Sequence, residues 1–124
     1  MSVYFEATDP RGIHVRCTKE QWINHIVDGH SMMEGNEDAI RKTISSPEFI
    51  YESHDSDPPM DYREVYSRRE ESASYYTPTV PYTKVVVSTL GNGGEVISAY
   101  PAKNATGGTK GEPVYEWTEN EDQL

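Results

Sequence analysis

Cysteine is nearly missing from this chain. Its 124 residues include only Cys17, so no internal disulfide can form and nothing asks for an oxidising compartment. Long apolar runs are missing as well; none approaches the roughly 18 residues that a membrane-spanning helix requires. The opening residues, Met1-Ser2-Val3-Tyr4-Phe5-Glu6, lack the basic stretch and apolar core of a secretory leader. The expectation is a soluble, cytoplasmic chain with no membrane partner. Basic residues are scarce: 11 Lys and Arg against 21 Asp and Glu give a net charge of -10. That balance argues against broad nucleic-acid binding, because affinity for phosphates comes mainly from Lys and Arg releasing counterions. Ten of the acids fall between Glu52 and Glu71 or in the last six residues, which leaves room for a basic cleft elsewhere.

The length suits one domain. We expect a single α+β domain over residues 1–118 and an acidic, frayed tail over 119–124. Residues 2–7 read as a strand, Asp9-Pro10-Arg11-Gly12 as a turn, and Ile13 to Cys17 as a second strand with alternating polarity; together they predict a β-hairpin. Thr18-Lys19-Glu20-Gln21 has capping-box spacing and predicts a helix from Lys19 to Asp28, stopped by Gly29 in the left-handed conformation. Trp22, Ile23, Ile26 and Val27 share its apolar arc, with His25 on the rim. Asn36 is expected to cap a second helix that ends near Ser45 before Pro47. Strands are predicted at Phe49–Tyr51 and Tyr62–Tyr66, with a polar, Tyr-rich connection from 67 to 81.

The clearest β signal is the pair 83–90 and 95–100 around Asn92-Gly93, a strong hairpin dipeptide. Both strands carry apolar residues on both faces and are expected mid-sheet. A Gly-rich loop over 103–111 and a last strand from Pro113 to Trp117 complete the pattern. The fold class is therefore α+β: an N-terminal hairpin and two helices packed on a mainly antiparallel sheet.

The motif Thr18-x3-Trp22-x2-His25-Ile26-x3-His30 precedes a second helix ending at Pro47-x2-Ile50. A Val-rich strand, a Gly-containing turn and Val96-Ile97-Ser98-Ala99-Tyr100 follow. Over roughly residues 13–103 this pattern resembles the phage-associated branch of the barnase–EndoU–colicin–RelE-like nucleases, compact toxin-type domains. The resemblance implies a barnase/RelE-like fold and metal-independent RNA cleavage. Family members commonly follow the second His with Pro-Glu, where this chain has Ser31-Met32.

Cutting RNA without a metal needs a base for the 2′-OH proton, an acid for the departing 5′-oxygen and donors for the charged phosphorane. Histidine suits either proton role. His25 and His30 are the candidates, on the rim and just past the end of the first helix. A two-residue Asn92-Gly93 turn would pair Val87 with Ser98 and Val85 with Tyr100, setting Ser98 and Tyr100 on one face. The same register excludes Lys84 from their company unless a bulge intervenes. The substrate-binding cation should then be Arg68, with Lys103 second.

Each candidate also has a plainer reading. His25 can be a core-edge histidine, and His30 can satisfy last-turn carbonyls. Ser98 and Tyr100 can be packing residues, and Arg68-Arg69 beside Glu70-Glu71 a solvated cluster. No metal site is expected, because His25-x4-His30 is not the i, i+4 pair that clamps zinc on one helix face. Gly91 to Gly94 is a hairpin, not a phosphate loop, so no cofactor is expected. Two functions stand: a small endoribonuclease acting on RNA, or a non-catalytic acidic module that engages a basic protein.

Overall fold

The computed structural model of the chain describes residues 2–89 and 93–118. It is a mixed α+β fold in which one seven-stranded sheet carries two short helices. The strands are β1 (Val3–Thr8), β2 (His14–Thr18), β3 (Phe49–Ser53), β4 (Arg63–Arg69), β5 (Tyr82–Ser88), β6 (Gly93–Ala102) and β7 (Thr109–Glu116). Their spatial order is β1-β2-β6-β5-β4-β3-β7. Five of the six pairings are antiparallel; β2 and β6 run parallel, over His14–Gly93 to Arg16–Glu95 only.

The predicted N-terminal hairpin is present. Asp9 makes its turn: the carboxylate accepts the backbone N–H groups of Arg11 and Ile13, each at 2.9 Å, while Gly12 takes φ 91°, a conformation that glycine adopts without steric cost. Thr18 caps the first helix, its hydroxyl accepting the Gln21 N–H at 3.2 Å. Helix α1 (Lys19–Gln21) then widens into a π-helical stretch, Trp22–Val27. This corrects two expectations. The wider turn of i→i+5 bonding keeps Trp22 and Ile26 in the core but rotates Ile23 out to 61% exposure. Gly29 continues the helical run instead of stopping it, and does not have a positive φ.

A single turn of 3-10 helix, Ser31–Met33, buries Met33 and leads to α2 (Glu37–Ser45). Ala39, Ile40, Thr43 and Ile44 are its buried face. Asn36 precedes α2 without capping it. Its amide instead donates to the Met32 carbonyl at 2.7 Å and the Ser74 hydroxyl at 2.9 Å, and accepts the Ser74 N–H at 3.0 Å. Asn36 thereby pins the polar connection, which spans 70–81 because β4 runs on to Arg69, and Tyr75 packs on the core.

The core lies between the helices and one face of the sheet, where Val15, Cys17, Ile50, Tyr66, Val85, Val87, Val96 and Ala99 meet Trp22, Ile26, Ile40 and Ile44. Strands β5 and β6 are both interior, as their sequence suggests. Strand β7 begins earlier than expected, at Thr109, and forms one margin of the sheet with Gly111 (φ 73°) and Pro113 in its length. The remainder of the Asn-Gly turn (residues 90–92) and the acidic tail 119–124 lie outside the described residues. No helix among the described residues is long and apolar enough to cross a membrane.

Candidate functional site

The β5–β6 ladder contains a bulge. Lys84 pairs with Tyr100, Val85 with Ala99 and Val86 with Ser98, but Val87 pairs with Val96, so Ile97 is an extra residue on β6. The expected pairs Val87–Ser98 and Val85–Tyr100 are therefore corrected by one position. Every side chain beyond the bulge changes face. Val96 stays in the core beside Val87, whereas Ser98 and Tyr100 join Val86 and Lys84 on the face away from the helices. The predicted exclusion of Lys84 fails for this reason.

The bulge is held from outside the ladder. Because β2 pairs only with residues 93–95, the rest of β6 is not joined to β2, and the first helix lies there. The Gln21 side chain donates to the Ile97 carbonyl at 2.6 Å. The same arrangement brings the end of the helical segment round to the outer face, where the His30 ring stacks on Tyr100 at 5.5 Å between centroids and 35° between planes.

Lys84 is the least ordinary residue of this face. It is 1% exposed, yet no ion pair to it is found among the described residues. Its Nζ donates to the carbonyl of Gly107 at 2.5 Å, and burial pushes its pKa below the ordinary lysine range. Across β4, Ser67 is fully buried with its hydroxyl unpartnered among the described residues. An ammonium in such a place carries a desolvation cost that a nearby anion would offset.

Tyr100 and His54 face each other around Gly108. The Tyr100 hydroxyl and His54 Nδ1 each lie 3.6 Å from the position a Cβ on Gly108 would take. Burial raises the Tyr100 pKa, and the charge of Asp55 raises it further, so this hydroxyl stays a hydrogen-bond donor. His54 Nδ1 is 2.9 Å from the Gly108 carbonyl. Its Nε2 lies 3.1 Å from Asp55 Oδ1, so each ring nitrogen has an oxygen within reach. Along the segment 103–108 that links β6 to β7, Lys84 thus lies at Gly107, Tyr100 and His54 lie at the adjacent Gly108, and His30 stacks on the Tyr100 ring.

Of the residues singled out from sequence, the structure brings His30 and Tyr100 into contact and sets Ser98 on the same face. His25 is elsewhere along β6: it is exposed and lines a hollow of about 160 Å³ with Glu20, Gln21, Asn24, Glu95 and Ile97. Arg68 belongs to the opposite face, since it pairs with Thr83 rather than Lys84. There its guanidinium donates to the Ser46 carbonyl at 2.7 Å and closes the end of α2. Lys103 is exposed at the start of the segment 103–108.

Sequence reasoning set Lys84 aside unless a bulge intervened, and made no claim on His54. The bulge that recruits Lys84 is contacted by Gln21, far away in the chain, and has no local mark. His54 had one signal, a histidine directly after a strand. Its importance comes from the Gly107-Gly108 pair, which only tertiary structure places beside it. No group of three or more His, Cys, Asp or Glu among the described residues is arranged to hold a metal ion.

A second polar cluster binds the fold together. Arg11, at the hairpin tip, donates to both oxygens of Glu64 (3.0 and 2.7 Å), to Asp9 at 2.8 Å and to the Tyr66 hydroxyl at 3.1 Å. Tyr66 in turn donates to Asp9 at 2.7 Å and Tyr62 to Glu64 at 2.9 Å. Every charge there has a partner, which marks a clamp between hairpin and sheet rather than a reactive site. No family model, curated protein or solved structure matches this chain.

Proposed function

We propose that the protein is a metal-independent endoribonuclease whose site is formed by Lys84, Tyr100, His30 and His54. The observation that carries this reading is the buried ammonium of Lys84, without a carboxylate partner among the described residues, paired across the ladder with Tyr100, which has the His30 ring against its own and the His54 ring across Gly108 from its hydroxyl. A phosphodiester supplies the anion such a position lacks, and imidazoles are the side chains best suited to move protons near neutral pH. The resemblance of the Trp22-x2-His25-Ile26-x3-His30 segment to the barnase–EndoU–colicin–RelE-like nucleases supports the same reading.

One imidazole takes the proton of the ribose 2′-OH, and the 2′-oxygen attacks phosphorus. The phosphorus–5′-oxygen bond breaks, the second imidazole protonates the leaving 5′-oxygen, and a 2′,3′-cyclic phosphate remains. Lys84 and the Tyr100 hydroxyl meet the charge that gathers on the phosphorane oxygens. His25 has no role in this scheme, and Ser98 stands on the same face as a further hydroxyl donor to substrate. The test is incubation with RNA in EDTA, with end analysis of the products. Cyclic-phosphate termini that vanish in His30→Ala are expected. Cleavage that depends on added magnesium, or none at all, would refute the proposal.

The charge of -10 supports a second reading, in which the acidic surface engages a basic protein without turnover. It predicts salt-sensitive binding to such a partner and an intact RNA sample.

A further inference from the structure

The segment 103–108 covers one residue that the proposed reaction requires. That residue is Lys84: at 1% exposure it cannot meet a substrate while Gly107 lies over it. What the ammonium holds now is one neutral backbone oxygen, which is a weak partner for a charge compared with an anionic one. The covering segment is shaped largely by bonds within itself and to its own end. The Asn104 side chain accepts the Gly107 N–H at 2.8 Å, and the Thr109 hydroxyl donates to the Thr106 carbonyl at 2.6 Å.

One end of the segment is a fixed point. The Gly108 carbonyl accepts the backbone N–H of His54 at 2.9 Å, which extends the β3–β7 ladder beyond Ser53–Thr109. Gly108 also has φ 77°, and a glycine changes its backbone angles with less steric penalty than any other residue. Gly108 therefore anchors its carbonyl to His54 while keeping backbone freedom on the side of residues 103–107.

We infer that residues 103–107 form a strap whose Gly107 carbonyl holds the place of a phosphate oxygen on Lys84. The strap swings about Gly108 when a phosphate group takes that place. This rests on the ribonuclease reading for its biological sense, but the anion site and the strap are defined by Lys84 and Gly107 alone. In the closed state the ammonium is covered; in the open state it receives the phosphate beside Tyr100 and His54. The ligand class is a phosphate monoester or diester, with inorganic phosphate as the smallest member.

The test reads Lys84 itself. The full chain is treated with a small amine-acylating reagent, and modification of Lys84 and exposed Lys103 is followed by peptide mass spectrometry. Asn104→Ala removes the bond that shapes the strap, and Thr109→Val removes the other; circular dichroism checks that each variant is folded. We expect Lys84 to react much more slowly than Lys103 in the unaltered chain. Asn104→Ala should speed its modification about tenfold, the shift in population that loss of one hydrogen bond produces. Inorganic phosphate should then slow Lys84 and leave Lys103 unchanged. Equal Lys84 rates in the unaltered chain and both folded variants would overturn the strap. Faster labelling that phosphate fails to slow would overturn the phosphate site. RNA cleavage is scored separately: if labelling behaves as expected while no RNA is cut, the ribonuclease reading fails and this inference stands.

Discussion

Gln21 holds the carbonyl of Ile97 at 2.6 Å, and Ile97 is the extra residue that turns Ser98 and Tyr100 onto the face of Lys84. A residue placed by a helix cap thus bonds to the point where the register of β6 shifts. Gln21→Leu should cost about 1 kcal/mol in urea unfolding, the worth of one hydrogen bond to a half-buried carbonyl. It should also weaken the His30–Tyr100 ring cross-peaks in NMR spectra. A variant as stable as the parent, with those cross-peaks unchanged, would show that the bulge needs no support from Gln21.

Arg11 is the hub of the clamp between the hairpin tip and β4. Asp9 and Glu64 are buried, with side chains 0% and 2% exposed. Arg11→Ala would strand both carboxylates, and removing one partner of a buried pair costs about 3–5 kcal/mol. Replacing the charged set together, as Arg11→Met with Asp9→Asn and Glu64→Leu, should recover much of that loss. Chemical denaturation of the two variants measures the difference directly.

The same clamp sets an acid limit. Burial pushes the Asp9 carboxyl up, but hydrogen bonds from Tyr66, the Ile13 backbone and Arg11 outweigh it, and its pKa lies below the ordinary aspartate range. A group with a depressed folded-state pKa gives stability that is present above its unfolded pKa and lost as pH falls through its folded one. Stability should therefore decline below the ordinary aspartate pKa, and Asp9→Asn should flatten that part of the curve. Thermal unfolding across pH 2 to 6 would show it; parallel curves for both proteins would contradict it.

Lys84→Met keeps the stem and removes the charge. Because the buried ammonium has no carboxylate partner among the described residues, the variant should be at least as stable as the parent. Cleavage should fall about 100-fold or more, the scale of losing a donor to developing charge. Activity should also fade on the alkaline side at a pH below the ordinary lysine range, because burial favours the neutral amine. A destabilised variant with full cleavage would reverse both halves of this expectation.

Much of the fold was legible in the sequence because its signals are local. Asp9 to Gly12 dictate their own turn, Thr18 its own cap, and the Val-rich run its place inside the sheet. What was not legible depends on partners distant in the chain. The three parallel pairs joining β2 to β6 follow from neither segment alone. Asn36 looks like a cap and is one only in spacing, because Ser74, 38 residues away, claims its side chain. The candidate site suffered most from this. Tyr100 and His30 could be named, but Lys84 needed a bulge in β6, and His54 needed a glycine pair brought beside it by the β6–β7 connection.

Strand β7 leaves one side of the sheet open to solvent, and its composition decides what that opening can do. Pro113 has no N–H to offer a newcomer, Gly111 bends the line of the backbone, and Lys110, Glu112 and Glu116 present charges along it. A stray extended chain finds no continuous template there, so this rim should resist seeding fibrils at concentrations where a flat, uncharged strand would recruit them.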